Sequence, residues 1–196
     1  MRLPVLAAIL AAAAPAAAES ISAAPHLEIM TRIDRRYDET ASIARKLWEF
    51  AEVGYKETSS SKLLQDALRA EGFVVKGGAA GIPTAFVAEW GTGGPAIGIL
   101  AEFDALPGIN QDATPSRSPI DGKAAGHACG HNLFGAGSVG AAIEVKRWLD
   151  ETKTPGTIRL YGTPAEEGGS GKVYMVRAGL FKTTDFVIHW HPDDEN

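Results

Sequence analysis

The segment GHACGHN, residues 126–132, holds the only cysteine of this 196-residue chain, Cys129, between His127 and His131. A single glycine separates Cys129 from His131, so both side chains can reach one ion from a loop. Thiolate and imidazole are ligands that suit zinc and other borderline-soft metals. The same letters are compatible with a buried cysteine at the start of a small-residue helix, and the segment alone leaves both interpretations open.

Two adjacent acids, Glu166 and Glu167, lie in the segment GTPAEEGGSGK between an apolar run and a glycine-rich turn. One carboxylate of such a pair can bind a metal ion while its neighbour acts as a general base on water. In isolation the pair is equally typical of a solvated loop. The glycines match neither phosphate-binding motif, GxGxxG or GxxxxGKS, so nucleotide binding is not predicted.

Two more polar clusters follow apolar runs. His189 and His191 lie two residues apart in DFVIHWHP, and Asp104 directly follows the run PAIGILAEF, two residues after Glu102. Residues two apart on a strand point to the same face, so one histidine could bind metal while the other supports it or contacts substrate. A surface or interface pair on either side of Trp190 is the alternative, but beside the other clusters we expect at least one of His189 and His191 to be a ligand. Asp104 could accept a hydrogen bond from a metal-bound imidazole and fix its tautomer, although an aspartate before a Pro-Gly turn is common without that role.

Cys129 could instead be a nucleophile paired with a histidine. That chemistry needs a base in contact with the sulfur and a third residue that orients the base. It leaves Glu166, Glu167 and the two C-terminal histidines without a role. The metal site uses all of these residues, so it is the favoured hypothesis.

The elements that must position these side chains alternate along the chain. Apolar periodicity predicts helices and strands. The helices are expected over residues 27–50 (one helix, or two with a break near residues 38–39), 59–72, 133–149 and 172–179, and the strands over residues 84–90, 95–103, 157–163 and 183–192, with a loop over residues 107–125. The alternation predicts an α/β sheet with parallel portions covered by helices. Because ligands gather at the carboxyl ends of strands in such sheets, we expect one site.

The composition is that of a globular domain, with 45% hydrophobic and 22% charged residues. The net charge of −5 argues against nucleic acid or an anionic membrane surface as a partner. Residues 1–18 combine Arg2, a short apolar run and the small residues before Glu19, which predicts a signal peptide cleaved after Ala18. Residues 19–196 are then secreted, into the periplasm if the source is a Gram-negative bacterium.

Five segments occur in one order along the chain: LWEFAEVGYKETSSSKLLQDAL, AEFDALPG, GHACGHNLFGAGSVGAA, GTPAEEGGSGKVYMVRAGLF and HWHP. Together they resemble the M20 metallopeptidase family in its amidohydrolase branch, and within it most of all the group of p-aminobenzoyl-glutamate hydrolases. The resemblance implies a zinc-exopeptidase-like α/β catalytic domain with a mixed, largely parallel sheet flanked by helices.

The resemblance also implies a centre of two divalent metal ions, Zn²⁺ or Mn²⁺. The residues it assigns are Cys129, His131 and Glu167 as ligands, Glu166 as the general base, and Asp104 as a support for the metal site. One further histidine ligand is ambiguous. The subgroup pattern Trp-His-Pro points to His191 and the broader pattern His-x-x-Pro points to His189, with His191 preferred.

The function implied by the resemblance is metal-dependent hydrolysis of the amide bond of small N-acyl or N-aroyl amino acids. The family's catalytic domain resumes after an inserted dimerisation domain and ends with a last metal-binding histidine. We therefore expect residues 19–196 to be the N-terminal part of that domain, inactive alone, from a longer homodimeric protein. The alternatives are a truncated metal-binding remnant without activity and a cysteine-dependent hydrolase.

Overall fold

The computed structural model describes residues 23–193, and the predicted signal peptide lies outside the described residues. Within this range the chain forms six α-helices and seven β-strands. The helices are α1 (Ala23–Arg35), α2 (Tyr37–Phe50), α3 (Thr58–Ala70), α4 (His131–Thr152), α5 (Glu166–Gly169) and α6 (Gly171–Arg177), and the strands are β1 (Val74–Gly77), β2 (Phe86–Thr92), β3 (Ala96–Ala101), β4 (Leu106–Pro107), β5 (Ala125–Gly126), β6 (Gly156–Gly162) and β7 (Phe186–Ile188). None of the described helices has the length and apolar character needed to cross a membrane.

The main sheet has five strands in the order β1-β2-β6-β3-β7. Strand β3 runs parallel to both of its neighbours, β6 and β7. Strand β2 pairs antiparallel with both of its neighbours, β1 and β6. The α/β fold with a mixed sheet flanked by helices is therefore confirmed, with the parallel pairings confined to the half of the sheet that contains β3. The carboxyl ends of β3, β6 and β7 consequently meet at one edge.

One face of the sheet is covered by α2, α3 and α4, whose apolar side chains form the main core with those of the strands. Fully buried members of this core include Leu47, Leu64, Phe103, Ile143 and Leu160. Burying a side chain of this size contributes roughly 1.5–3 kcal/mol, so the packing fixes the strand ends that carry polar residues. The opposite face is covered by α6 through Met175.

Helix α4 begins two residues earlier than the sequence predicts. Gly130 adopts a left-handed conformation, with φ of 81°, and starts the helix at His131. A Cβ atom on Gly135 would lie 2.9 Å from the carbonyl oxygen of Glu102, so the first turns of α4 pack directly on the backbone after β3. His131 is thereby placed beside the end of that strand.

Several predicted boundaries differ from the structure. The long N-terminal helix breaks at Arg36 rather than near residues 38–39, and Arg36 bonds to the side chain of Glu71 at 2.7 Å. Strand β1 was not predicted because it is a short, exposed edge strand without apolar alternation. The loop over residues 107–125 ends in β5, which pairs with β4 through contacts distant in sequence.

The last strand is much shorter than the predicted range 183–192, since β7 ends at Ile188. His189 and His191 therefore follow the strand instead of lying on it. The expectation that they share one face of a strand is wrong.

Candidate metal centre

The four predicted polar clusters meet at the edge of the sheet where β3, β6 and β7 end. Asp104 follows β3, Glu166 follows β6 and His191 follows β7, while His131 comes from the first turn of α4. The convergence follows from the parallel direction of the three strands, because parallel strands end at the same edge of a sheet. The structure therefore brings the four clusters together at one edge, as expected from the order of the strands.

His131 is at the centre of this group and is fully buried. Its Nδ1 atom lies 3.0 Å from Oδ1 of Asp104 and 3.0 Å from the carbonyl oxygen of the same residue. Its Nε2 atom lies 2.9 Å from a carboxylate oxygen of Glu102, yet no hydrogen bond satisfies it. A histidine whose Nδ1 is held by a carboxylate presents Nε2 to a metal, which is the common arrangement at metal centres.

Two groups of potential ligands share His131. The first comprises Cys129, His131 and His191, and the second comprises Glu102, His131 and Glu166, with the ligand atoms of each group within 4.8 Å of one another. Oε1 of Glu167 is a further buried atom without a hydrogen-bond partner. A thiolate and two imidazoles suit Zn²⁺, so the residues present fit a divalent ion.

The charges around His131 favour a cation. Burial acts to lower its pKa, but the hydrogen bond with Asp104 and the nearby negative charges of Asp104 and Glu102 outweigh this and raise the pKa of His131 to about 10. Burial likewise opposes ionisation of Glu102, while His131 and Lys172 lower the pKa of that carboxyl to about 2. The carboxylates of Glu102 and Asp104 thus surround His131 with negative charge that a bound cation would offset.

The Cys129 thiol is held in its neutral form when no cation is near. Burial, followed by the charge of Glu167, raises the pKa of Cys129 to about 11. A reactive cysteine needs a lowered pKa and an electropositive environment. The surroundings of Cys129 instead favour a thiolate only when a metal ion neutralises it.

The two adjacent acids, Glu166 and Glu167, have different environments. The side chain of Glu166 is 41% exposed, and its Oε2 atom lies 3.9 Å from Nε2 of His131. The side chain of Glu167 is 18% exposed, and its backbone N–H donates to Oδ2 of Asp104 at 2.9 Å. Glu166 therefore faces the solvent side of the cluster and Glu167 the protein side.

The structure brings His191, and not His189, into the group with Cys129. Nε2 of His191 lies 3.4 Å from Sγ of Cys129, whereas Nε2 of His189 lies 3.4 Å from Oε1 of Glu102. Trp190 separates the two histidines by packing against α4, where its Nε1–H donates to Oγ of Ser138 at 3.1 Å. A Cβ atom on Gly137 would lie 2.8 Å from this indole, so the small residue at that position makes the contact possible.

Two residues of the site were not assigned from the sequence. Glu102 is 2% exposed and forms an ion pair with Lys172, which projects from α6. The position of Glu102, two residues before Asp104 at the end of an apolar strand, was a usable signal. Nothing in the sequence pattern around Lys172 connects it to Glu102, because the contact spans 70 residues and depends on the packing of α6.

Two clefts flank the cluster. A cleft of about 280 Å³ is bordered by Tyr55, Asp104, Glu167 and Gly169. A more open groove of about 610 Å³ is bordered by Cys129 and His191. Small molecules can thus approach the cluster from solvent.

Comparison with known proteins gives consistent matches. Residues 98–196 match the model of "Peptidase family M20/M25/M40". Over 152 residues, or 77% of this chain, the sequence is 43% identical to a subunit of the p-aminobenzoyl-glutamate hydrolase of Escherichia coli K12, and it covers 32% of that subunit. It is 32% identical to the Xaa-Arg dipeptidase of Mus musculus, matching 89% of this chain and 41% of that protein.

Among solved structures, a dinuclear metal-binding peptidase of the M20 family from Bacillus subtilis superposes with a TM-score of 0.71 at 27% identity. The match covers 83% of this chain and 44% of that one. The chain thus spans between about a third and two fifths of the length of the Escherichia coli and mouse relatives.

Proposed function

Because the chain belongs to peptidase family M20/M25/M40, we propose that it is part of a metal-dependent amidohydrolase for small N-acyl or N-aroyl amino acids. The observation that carries the proposal is the convergence of Cys129, His131 and His191 beside the more exposed carboxylate of Glu166. The 43% identical relative is named for hydrolysis of p-aminobenzoyl-glutamate, an aroyl amino acid, which makes this compound the first substrate to test.

The residues that would hold metal are Cys129, His131, His191 and Glu167. We propose two divalent ions, in keeping with the dinuclear structural relative, and zinc as their identity because thiolate and imidazole dominate the donors. When bound, such ions polarise the scissile carbonyl group and lower the pKa of the attacking water. His191 is proposed as the ligand in preference to His189, since it is the histidine near Cys129.

The protein groups divide the remaining work. Glu166 accepts a proton from water as the new C–O bond forms, and it delivers that proton to the amine nitrogen as the C–N bond breaks. Its exposure to solvent on the open side of the cluster leaves room for the substrate amide. Asp104 accepts a hydrogen bond from Nδ1 of His131 and so keeps Nε2 directed toward the centre of the site.

The wider setting of the protein is also a proposal. We propose that residues 1–18 direct export to the periplasm or beyond, and that residues 19–196 form the N-terminal part of the catalytic domain of a longer, homodimeric enzyme. We propose that the molecule bound at the site is a small N-acyl amino acid substrate. The support for these points is the leader-like composition of residues 1–18 and the fraction of each relative that the chain covers.

The first experiment is elemental analysis of residues 19–196 after exposure to zinc, for the wild type and three variants. We expect near-stoichiometric zinc in the wild type and in Glu166→Gln, and a clear loss in Cys129→Ser and Glu167→Gln. Glu167→Gln is the matched control for Glu166→Gln, since it makes the same change one residue away. Equal zinc content in all four chains would contradict the proposed ligands.

The second experiment measures hydrolysis of p-aminobenzoyl-glutamate by the longer gene product. We expect Glu166→Gln to lower kcat by about 10²–10⁴-fold while the metal stays bound, which is the usual contribution of a general base. Full activity of that variant would refute the assigned base.

A cysteine-dependent hydrolase is the second candidate, because the 3.4 Å distance between Sγ of Cys129 and Nε2 of His191 also suits a thiol and its base. Activity that survives complete removal of metal by a chelator, but not alkylation of Cys129, would favour it over the metal mechanism.

A further inference from the structure

Glu57 lies just before α3, away from the motifs that carry the chemistry, and is fully buried. Each oxygen of its carboxylate accepts a hydrogen bond from another part of the chain. Oε1 accepts from the backbone N–H of Ala165 at 2.8 Å, and Oε2 accepts from Oγ1 of Thr84 at 2.9 Å. A buried carboxylate is tolerated when donors satisfy it, so these two bonds explain how Glu57 can occupy this position.

The bond from Ala165 holds an unusual point of the backbone. Ala165 is fully buried and has a φ of 56° and a ψ of 44°, a left-handed conformation that residues with a side chain seldom adopt. Its methyl group fills a space left by two glycines, because a Cβ atom on Gly54 or Gly169 would approach it to 3.0 or 2.6 Å. Such strain persists where the surroundings fix it, and it clusters at functional sites.

Ala165 immediately precedes the two acids of the proposed site. The N–H of Ala165 is held by Glu57, and the N–H of Glu167 is held by Oδ2 of Asp104 at 2.9 Å. Glu166 lies between these two anchored amides. Because its side chain is 41% exposed, packing does little to fix Glu166, and the backbone on either side decides where its carboxylate points.

We propose that Glu57 is a positioning residue for Glu166 and Glu167, acting through the backbone of Ala165. The proposal rests on the proposed function, in which Glu166 is the base and Glu167 a ligand. Glu57 fixes the turn from one side and Asp104 fixes it from the other. Loss of Glu57 therefore releases the turn, while the other ligands keep their places.

The test compares four variants of residues 19–196 by two measurements. The first is zinc affinity, by competition with a chromophoric chelator, and the second is hydrogen exchange of the Ala165 amide by NMR. The variants are Glu57→Ala, Glu57→Gln, Thr84→Val and, as a matched control, Glu52→Ala. Glu52 lies in the same α2–α3 connection, and its carboxylate accepts from the N–H groups of Ser59 and Ser60, whereas the N–H of Ala165 donates to Glu57.

We expect Glu57→Ala to weaken zinc binding by about 10–100-fold, the usual cost of losing a group that orients a ligand. Exchange of the Ala165 amide should accelerate in the same variant. Glu57→Gln should restore both values toward the wild type, since its side-chain oxygen can still accept from Ala165. Glu52→Ala should leave both unchanged even where it lowers the thermal stability.

An unchanged affinity and an unchanged exchange rate in Glu57→Ala would overturn the proposal, as would an equal loss of affinity in Glu52→Ala. If Glu57→Ala does not fold, Thr84→Val takes its place as the test, because it removes only the hydrogen bond from Thr84 to the Glu57 carboxylate. Thr84→Val should then weaken zinc binding and accelerate exchange of the Ala165 amide, and no change in either measurement overturns the proposal. If the wild type binds no zinc, the proposed function fails. The exchange of Ala165 in Glu57→Ala then decides the role of Glu57 separately.

Discussion

Replacing Asp104 with asparagine tests whether this buried carboxylate organises the metal centre. Asp104 is 1% exposed, and its two oxygens accept hydrogen bonds from Nδ1 of His131 and from the N–H of Glu167. Asparagine has nearly the same shape but only one accepting oxygen. Its amide NH₂ group must therefore face one of the two donors, and one hydrogen bond is lost whichever way it turns.

The expected cost follows from these contacts. Losing a residue that orients a metal ligand weakens metal binding by about 10–100-fold, which corresponds to roughly 1.4–2.8 kcal/mol at 1.4 kcal/mol per factor of ten. The substitution also removes a charge that holds a proton on His131. The same charge attracts a divalent ion, so its loss also weakens metal binding.

The assay is competition for zinc between residues 19–196 and a chromophoric chelator at constant pH and salt. Asp185→Asn is the matched control, because Asp185 accepts from the N–H of Ala96 at 2.7 Å at the opposite end of β3. We expect the control to bind zinc like the wild type. A folded Asp104→Asn chain that binds zinc as tightly as the wild type would refute the role assigned to Asp104.

Three further predictions concern stability. Burial lowers the pKa of His127 from 6.5 to about 4, so the folded chain keeps this imidazole neutral where the unfolded chain protonates it. The free energy of unfolding should therefore be highest above pH 6.5 and fall by at most about 3 kcal/mol as the pH drops toward 4. Urea unfolding at several pH values should show a shallower fall between pH 6.5 and 4.5 in His127→Gln than in the wild type. Lys172→Met should cost the metal-free chain about 1–3 kcal/mol, because it removes one of the cations that pair with the buried Glu102 carboxylate and leaves mainly His131 beside it. Adding Glu102→Gln should recover much of this loss, and a double variant less stable than Lys172→Met would contradict that explanation. Gly135→Ala should lower the thermal midpoint, because the new Cβ atom would lie 2.9 Å from the carbonyl oxygen of Glu102. Gly140→Ala should raise the free energy of unfolding by up to about 1 kcal/mol, since its nearest neighbour is at 3.6 Å and alanine favours the helix. Equal thermal midpoints for the two variants would show that the close approach at Gly135 has little cost.

Local chemistry made much of the fold predictable. The strand from Ala96 is a nearly unbroken apolar run, as expected for a strand buried on both faces, and its parallel pairing with the strand from Gly156 agrees with the predicted α/β sheet. Membership of the M20 family is also confirmed. The boundaries failed where contacts distant in sequence decide them, as for β5 and for the early end of β7.

The sequence also predicted, from residue types, the groups that the structure brings together, while their roles, export, dimerisation and the division into domains stay predictions. Thiol, imidazole and paired carboxylates can be recognised from residue type and spacing alone, and their places after strands predicted a common edge. That expectation needed only the direction of the chain through β3, β6 and β7, because the carboxyl ends of parallel strands coincide.

Tertiary structure alone decided which of these groups face one another. His191 reaches Cys129, and His189 turns to Glu102, because Trp190 anchors the segment between them against α4. Glu57 reaches Ala165 across 108 residues, a contact set by the packing of α3 and not by any local pattern. Residue type and spacing determine what chemistry a chain can do, whereas the directions of side chains depend on long-range packing.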